Sequence, residues 1–294
     1  MKSTVSSFFA GDKQIRVYVA NTTKMVKDAF EVHGTSPVAT AALGRTITAA
    51  SIMGKMLKGD NDRLTFQIHG SNLIKNIVAV TDSTGNVKGY ISDPVVDLPP
   101  KLNGKLDVGG AIGDKGKLII VRDLGLKEPY VGHANLITGE IAEDLAAYYM
   151  YSEQQPTAVS LGVLTDSEEY VKAAGGIMIQ TLPGIEDEVL TQLEFCIVQM
   201  RSISAMINDG LTAEEIAKEV MNGFEVEHLE TSEVEFKCDC SRERMLGALI
   251  SIGEKELTEI VEQDEETEIH CHFCNTYYKF KREEIQEILD SAKE

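Results

Sequence analysis

The sequence predicts an α+β fold followed by a helical stretch and a small cysteine-bearing module, and three observations carry this reading. Over residues 1–184, runs of alternating apolar and polar side chains are separated by short turns bearing Gly, Asn and Asp, the pattern of strands joined by hairpins. Within that region, 37–58 is rich in Ala and Thr on nearly every side, which suits a helix covered all round rather than a membrane span, since Arg45 and Lys55 interrupt it. Four of the five cysteines fall near the end of the chain as Cys238-Asp239-Cys240 and Cys271-His272-Phe273-Cys274, thirty residues apart.

The opening reads as a hairpin, 5–10 and 14–20 flanking Gly11-Asp12, with Ile15, Val17 and Val19 alternating with polar residues. A helix follows, capped near Asn21 or Thr22, with Met25, Val26, Ala29 and Phe30 on one face and Gly34 ending it. The small-residue helix starts from Ser36 as N-cap and Pro37 in the first turn, and Gly59 marks its end. Strands are expected at 64–68, 77–80, 87–91, 117–121 and 131–137, then a helix over 138–152 with Ile141, Leu145, Tyr148 and Tyr149 inward, then strands at 158–164 and 176–180. From Gly184 the character changes. Apolar residues at helical spacing from Val189 to Ile207 predict one long acidic helix over 185–208, and Thr212 caps a second. Beyond it come helices at 242–252 and 254–262, an acidic turn at Asp264-Glu265-Glu266, a strand at 277–280 and a final amphipathic helix over 282–292.

At 294 residues, two domains are the expectation. The N-terminus has neither an apolar targeting core nor a cleavage site, so the expected location is the cytoplasm, where clustered thiols are more often metal-bound or redox-sensing than structural disulfides. The net charge of −19 is uneven: 1–184 carries 19 acids and 18 bases, 185–230 carries 11 and 2, and 231–294 carries 17 and 8. A metal module that gripped nucleic acid would be basic, because phosphate neutralisation supplies most of that affinity. Both acidic segments argue against a nucleic-acid partner.

Two short-range cysteine pairs at this separation form a ligand pattern for one tetrahedral Zn²⁺. In an extended segment Cys238 and Cys240 point to the same side, while the CxxC pair can wrap an ion in a tight turn. A plain structural zinc site is the competing reading, and the CxC spacing argues for something more, since thiols so close can also oxidise to a disulfide. His270 and His272 flank Cys271, but the complete set of four thiols makes either unnecessary as a ligand. Cys196 falls among Leu193, Ile197 and Met200 on an apolar helix face and reads as a packed core thiol. Lys237, Arg242 and Lys279 are read as solvated surface. The glycines at 109–113 run into an apolar strand rather than a helix, so they are read as loop and hairpin turn, not a phosphate cradle; no HExxH or GxSxG occurs.

These residues bear a family resemblance. Cys-x-Cys, a spacer of thirty, then Cys-x-x-Cys at the end of such a chain resembles the redox-regulated 33-kDa chaperonin family, a heat-shock holdase of the bacterial cytoplasm. The stretch His33-Gly34-Thr35-Ser36-Pro37, the run Ala41-Ala42-Leu43-Gly44-Arg45-Thr46, Ala173-Ala174-Gly175-Gly176 and Cys271-His272-Phe273-Cys274-Asn275 look like that family, and the likeness covers the whole chain.

The resemblance implies antiparallel sheets around the buried helix, with a chaperone core over 1–184, an acidic helical linker over 185–230 and a redox-switch domain over 231–294. It implies one Zn²⁺ held by Cys238, Cys240, Cys271 and Cys274 in a reduced, inactive state. Oxidation would form Cys238–Cys240 and Cys271–Cys274, release zinc, unfold the module and loosen the linker. The protein would then hold unfolding clients without ATP, as a non-enzyme with neither nucleic acid nor membrane as partner; the resemblance allows a homodimer in the active state. Two other classes compete. A thiol–disulfide oxidoreductase would use CxxC beside a thioredoxin-like βαβ pattern, but here a tyrosine-bearing strand follows. A zinc-ribbon interaction module for nucleic acid would need basic charge.

Overall fold

Alternation in the first twenty residues folds into the expected hairpin: β1 (Ser3–Ala10) and β2 (Ile15–Asn21) pair antiparallel across a turn whose residues 11–13 all take positive φ. The computed structural model describes residues 2–166, 170–263 and 265–291. The chain forms two units, one ending at Lys237 and the other beginning at Cys238.

The first unit contains two five-stranded sheets in which every pairing is antiparallel. One has the order β10 (Val226–Val234), β1, β2, β9 (Ala173–Thr181), β8 (Thr157–Leu164). The other has the order β5 (Val87–Ile91), β4 (Asn76–Asp82), β3 (Arg63–His69), β6 (Lys117–Asp123), β7 (Tyr130–Asn135). Helix α1 (Thr23–His33) ends, as expected, on Gly34 in the left-handed region, a conformation glycine adopts without a Cβ penalty. Helix α2 (Pro37–Gly54) contacts strands of both sheets, and sixteen of its eighteen residues are buried. Its small side chains permit this close approach. The hydroxyls of Thr46, Thr48 and Ser51 satisfy the carbonyls of Ala42, Gly44 and Gly85, so the polar atoms are buried at little cost. The helix stops at Gly54 rather than near Gly59; at Gly54 a side chain would collide with Thr81 and the backbone of Asp82.

Several boundaries differ from the sequence reading for identifiable reasons. The glycines at 109–113 are not a loop: Val108–Ile112 forms a one-turn helix, α3, whose first turn is held by the Asp107 carboxylate accepting from the Gly110 N–H. Helix α4 (Ala142–Tyr151) starts four residues later than expected, because buried Asp144 accepts the backbone N–H groups of Ile137, Thr138 and Ile141 and folds 137–141 into a turn. The single long helix over 185–208 is two, α5 (Asp187–Gln199) and α6 (Ile203–Asn208), with extended backbone at Met200 and Ser202 between them. Arg201 holds this break by pairing with Glu219 on α7 (Ala213–Val220) and with Asp209. A linker boundary at 230/231 was expected, but β10 runs across that position.

The three helices α5, α6 and α7 lie on the face of the first sheet that points away from α2. Leu193, Ile203, Met206, Ile216 and Val220 pack there on Phe8, Ile15, Val17, Ile177 and Ile179. After β10 the chain crosses to the edge of the second sheet: Val87 N–H donates to the Glu235 carbonyl and Lys237 N–H donates to the Val87 carbonyl.

The second unit pairs β11 (Glu266–His270) with β12 (Tyr277–Lys281) and adds helices α8 (Arg242–Ser251), α9 (Glu254–Gln263) and α10 (Arg282–Ser291). Of the expected acidic turn, Asp264 lies outside the described residues and Glu266 opens β11; Ala292 of the last helix also lies outside them. Among the described residues the unit's buried apolar cluster is Leu249, Leu257, Phe280 and Ile285, with Met245, Leu246, Ile260, Val261, Ile269 and Tyr278 partly buried against it.

The packing of α2 makes a direct prediction. A Cβ at Gly44 would sit 2.8 Å from Val163 and 2.9 Å from Val26. Gly44→Val is expected to lower stability by about 1–3 kcal/mol, the usual cost of overpacking a filled core. Urea unfolding of the full chain reads this as a lower midpoint; an unchanged or raised midpoint would show that the sheets are free to move apart around α2.

Candidate metal centre

The turn between β11 and β12 curls because Cys274 and Asn275 donate their N–H groups to the Cys271 carbonyl, at 3.3 and 2.8 Å, while Cys271 N–H donates to the Thr276 carbonyl at 2.9 Å. Asn275 closes the turn in the left-handed region, where Asn is among the better-tolerated residues. This geometry brings the Cys271 and Cys274 thiols to one side. The other two cysteines lie on the irregular segment just before α8. Across the two segments, Cys238 Sγ is 3.7 Å from Cys271 Sγ and Cys240 Sγ is 3.3 Å from Cys274 Sγ.

All four sulfurs lie within 4.8 Å of one another. Tetrahedral Zn²⁺ with Zn–S bonds of about 2.3 Å needs sulfurs about 3.8 Å apart, so this donor set fits that ion in both number and spacing. Cys271 is buried and the others are half-buried. Each sequence-predicted cysteine is therefore brought to one point. His270 and His272 are not part of the converging set: His270 bonds to the Asn275 side chain at 3.0 Å and stacks on Tyr277. Nor does the CxxC start a helix, so it lacks the helix N-terminus that activates thiols of oxidoreductase type.

Electrostatics in the cluster is divided. Burial, together with the neighbouring thiols, pushes the Cys238 thiol well above the ordinary range, and Cys271 is raised chiefly by burial. For Cys274 burial also works upward, but hydrogen bonds from Thr276 and from the thiols of Cys240 and Cys271 outweigh it and hold the group down to about 7. The Tyr278 hydroxyl, 3.1 Å from Cys240 Sγ, is pushed up to about 12 by that bond. Four thiolates in so small a volume repel one another, and a divalent cation among them reverses the balance.

The supporting residues were less visible in the sequence. Arg244 pairs with the Asp239 carboxylate and donates to the Asp239 carbonyl, fastening α8 to the CxC segment. Arg242, read as surface, lies 4.4 Å over the Phe280 ring and donates to the Lys279 carbonyl and to Glu284. The only sequence signal for either is their position in the first turn after CxC. Lys237 and Lys279 pair with Glu235 and Glu266 at the surface, as the solvated-surface reading expects. Cys196, in the first unit, is buried on α5 with its thiol donating to the Asn222 carbonyl at 3.3 Å, consistent with a packed core thiol.

Comparison with known proteins extends the likeness over the whole chain. The sequence model of the Hsp33 protein family matches residues 3–281. A relative from Alkaliphilus metalliredigens, a 33 kDa chaperonin, is 48% identical over 290 residues, 99% of each chain. Another 33 kDa chaperonin, from Alkaliphilus oremlandii, is 51% identical over 288 residues, 98% of this chain and 96% of that protein. The crystal structure of the 33 kDa chaperonin (heat shock protein 33 homolog) from Thermotoga maritima superposes with a TM-score of 0.90 at 36% identity, covering 100% of this chain and 99% of the other. With sequence, fold and the cysteine cluster in agreement over essentially its full length, the chain belongs to the Hsp33 family.

Proposed function

We propose that this protein is an ATP-independent holdase chaperone whose activity is switched by oxidation of the cysteine cluster. The observation that carries the proposal is the convergence of Cys238, Cys240, Cys271 and Cys274 in a unit whose described residues form a small apolar core. In the reduced state the four thiolates hold one Zn²⁺, which cross-links the two cysteine segments and contributes folding free energy on the order of 10–16 kcal/mol. That is comparable with the whole stability of an ordinary domain, about 5–15 kcal/mol.

An oxidant such as hydrogen peroxide converts Cys238 with Cys240, and Cys271 with Cys274, to disulfides. Each disulfide forms as two thiolates give two electrons to one peroxide, which takes up two protons from solvent and leaves as two waters. The sulfurs then no longer serve as ligands, and a unit with so small a core unfolds. The connector helices α5 to α7 are the element whose release exposes apolar surface, since they cover Phe8, Ile15, Val17, Ile177 and Ile179. Unfolding client proteins are the partners of that surface. The acidic charge of the last two segments disfavours nucleic acid. Among the described residues no helix is long and apolar enough to cross a membrane. The reading is of a non-enzyme working in the cytoplasm.

Two experiments test this. Metal analysis of the reduced protein should find one zinc per chain, lost from the double variant Cys271→Ser, Cys274→Ser and released from the wild type on peroxide treatment. Full zinc retention by the double variant would refute the ligand set.

The second is a truncation after Lys237, which keeps β10 in its sheet. Under reducing conditions this protein should suppress light scattering by a heat-denatured client, at least in part, with faster amide exchange across 187–220. If it is active while those amides stay protected, the connector is not the restrained element. If it is inactive with exposed amides, exposure of the connector is not sufficient.

A further inference from the structure

The first unit holds a second chemically distinctive place, far in sequence from the cysteines. Just past the end of α2, between the two sheets, lies a cavity of about 550 Å³. Met53, Met56, Leu57, Leu64, Leu124 and Leu182 form the apolar part of its wall, and the charged side chains of Lys58, Asp62 and Glu153 line it as well. Two arginines enter from opposite sheets, Arg16 on β2 and Arg122 on β6.

Their states differ. Arg122 is neutralised by Glu153, with both carboxylate oxygens engaged at 3.1 Å. Among the described residues no carboxylate lies within ion-pair distance of Arg16. Its guanidinium rests over the rings of Tyr18 and Phe9, at 5.2 and 5.7 Å, and its Nε is buried with no hydrogen-bond partner. The Nε of Arg45 is also buried without a partner, but that guanidinium is paired with Glu140. Nearby Glu230 feels the charge of Arg16 yet bonds to Ser232 and pairs with Lys55. Asp62, the other acid in the wall, accepts from the Gly59 N–H. An unpaired buried donor on a charged group is costly, and an anion in the cavity would remove that cost.

A second donor lines the same space. The Tyr149 hydroxyl has only the Met56 thioether as partner, at 3.6 Å, which is a weak acceptor. Burial keeps that phenol protonated, so it remains a donor.

We propose that this cavity binds a small amphipathic carboxylate, with its headgroup on Arg16 and its apolar body against the Met and Leu wall. One planar guanidinium without a counter-ion matches the planar, singly charged carboxylate, and inorganic phosphate has no apolar body to place against the Met and Leu side chains. The site is independent of the cysteine cluster and of the chaperone reading.

Octanoate is the probe, with octanol and inorganic phosphate as comparisons, on the full-length reduced protein. The chain has no tryptophan, so Leu124→Trp at the cavity wall supplies a unique fluorescence reporter. Octanoate should bind with a Kd below about 1 mM and at least tenfold more tightly than octanol or phosphate, and Arg16→Gln should weaken it tenfold or more by calorimetry. Absence of saturable octanoate binding up to about 10 mM would overturn the proposal, as would octanol or phosphate binding equally well. So would an Arg16→Gln protein with a normal thermal transition and undiminished affinity. If that variant does not fold, the octanoate, octanol and phosphate comparison on the wild-type chain still decides the role of charge.

Discussion

Four sulfurs within 4.8 Å of one another are the constraint on which the second unit depends. As thiols they are polarisable groups, Cys271 buried and the others half-buried, with little to hold them together; as thiolates they repel. A unit of about 60 residues buries only about 60% of the surface its unfolded chain exposes, and among the described residues here the fully buried apolar cluster is four side chains. The remaining restraints are local: the β11–β12 pairing, Arg244 on Asp239, and Arg242 between Phe280 and Glu284. The ion pairs among these are exposed, and such pairs are worth on the order of 0–1 kcal/mol each. A divalent cation held by the four thiolates would be a contribution of the right size, and one that depends on the sulfurs staying thiolates.

The first unit is built to the opposite specification. Its inner layer, α2 between two sheets, is dense and satisfied, with hydroxyls that find carbonyls and a helix whose only exits are Pro37 and Arg45. The outer layer is held differently. Helices α5 to α7 carry an excess of acid and attach to the first sheet through apolar side chains that include Leu193, Ile203, Met206, Ile207, Ile216 and Val220. Self-repulsion of like charge opposes that attachment while apolar burial favours it.

What was legible in the sequence followed from how local each signal is. The α2 helix could be read because all-round burial demands small residues at every position, and the cysteines because metal ligation demands fixed short spacings. The break between α5 and α6 could not, because Leu193, Cys196, Ile197, Met200, Ile203 and Ile207 continue the helical period across it with no Gly or Pro, and what holds the break is Arg201 reaching Glu219. Strand β10 was hidden for another reason. It is an edge strand whose residues 227–231 are exposed on both faces, with Glu227, Glu230 and Glu233 distributed along it, so apolar alternation is missing and charge protects the edge. At the cysteine site, Thr276 and Tyr278 became relevant only once the β11–β12 turn placed their hydroxyls beside sulfur.

The stretch from β10 to the first cysteine gives these two specifications a common element. β10 lies along the edge of one sheet beside β1, and three residues later the same backbone is bonded to Val87 at the edge of the other, with the Glu235 N–H also held by the Asn86 side chain. The next residue after Lys237 is the first cysteine. The bonds at 235–237 are few and lie at a sheet edge, the class of contact that opens at low free energy. β10 is not held by its backbone alone: Val234 is buried in the core around α2, Phe236 packs against that core, and Val226 packs with the helices on the other face of the sheet. Immediately before β10 come α7 and the other helices of that face. Under the proposed switch, disorder spreading back from Cys238 would meet the edge bonds at 235–237 and the apolar contacts of Phe236 and Val234 before it reached those helices.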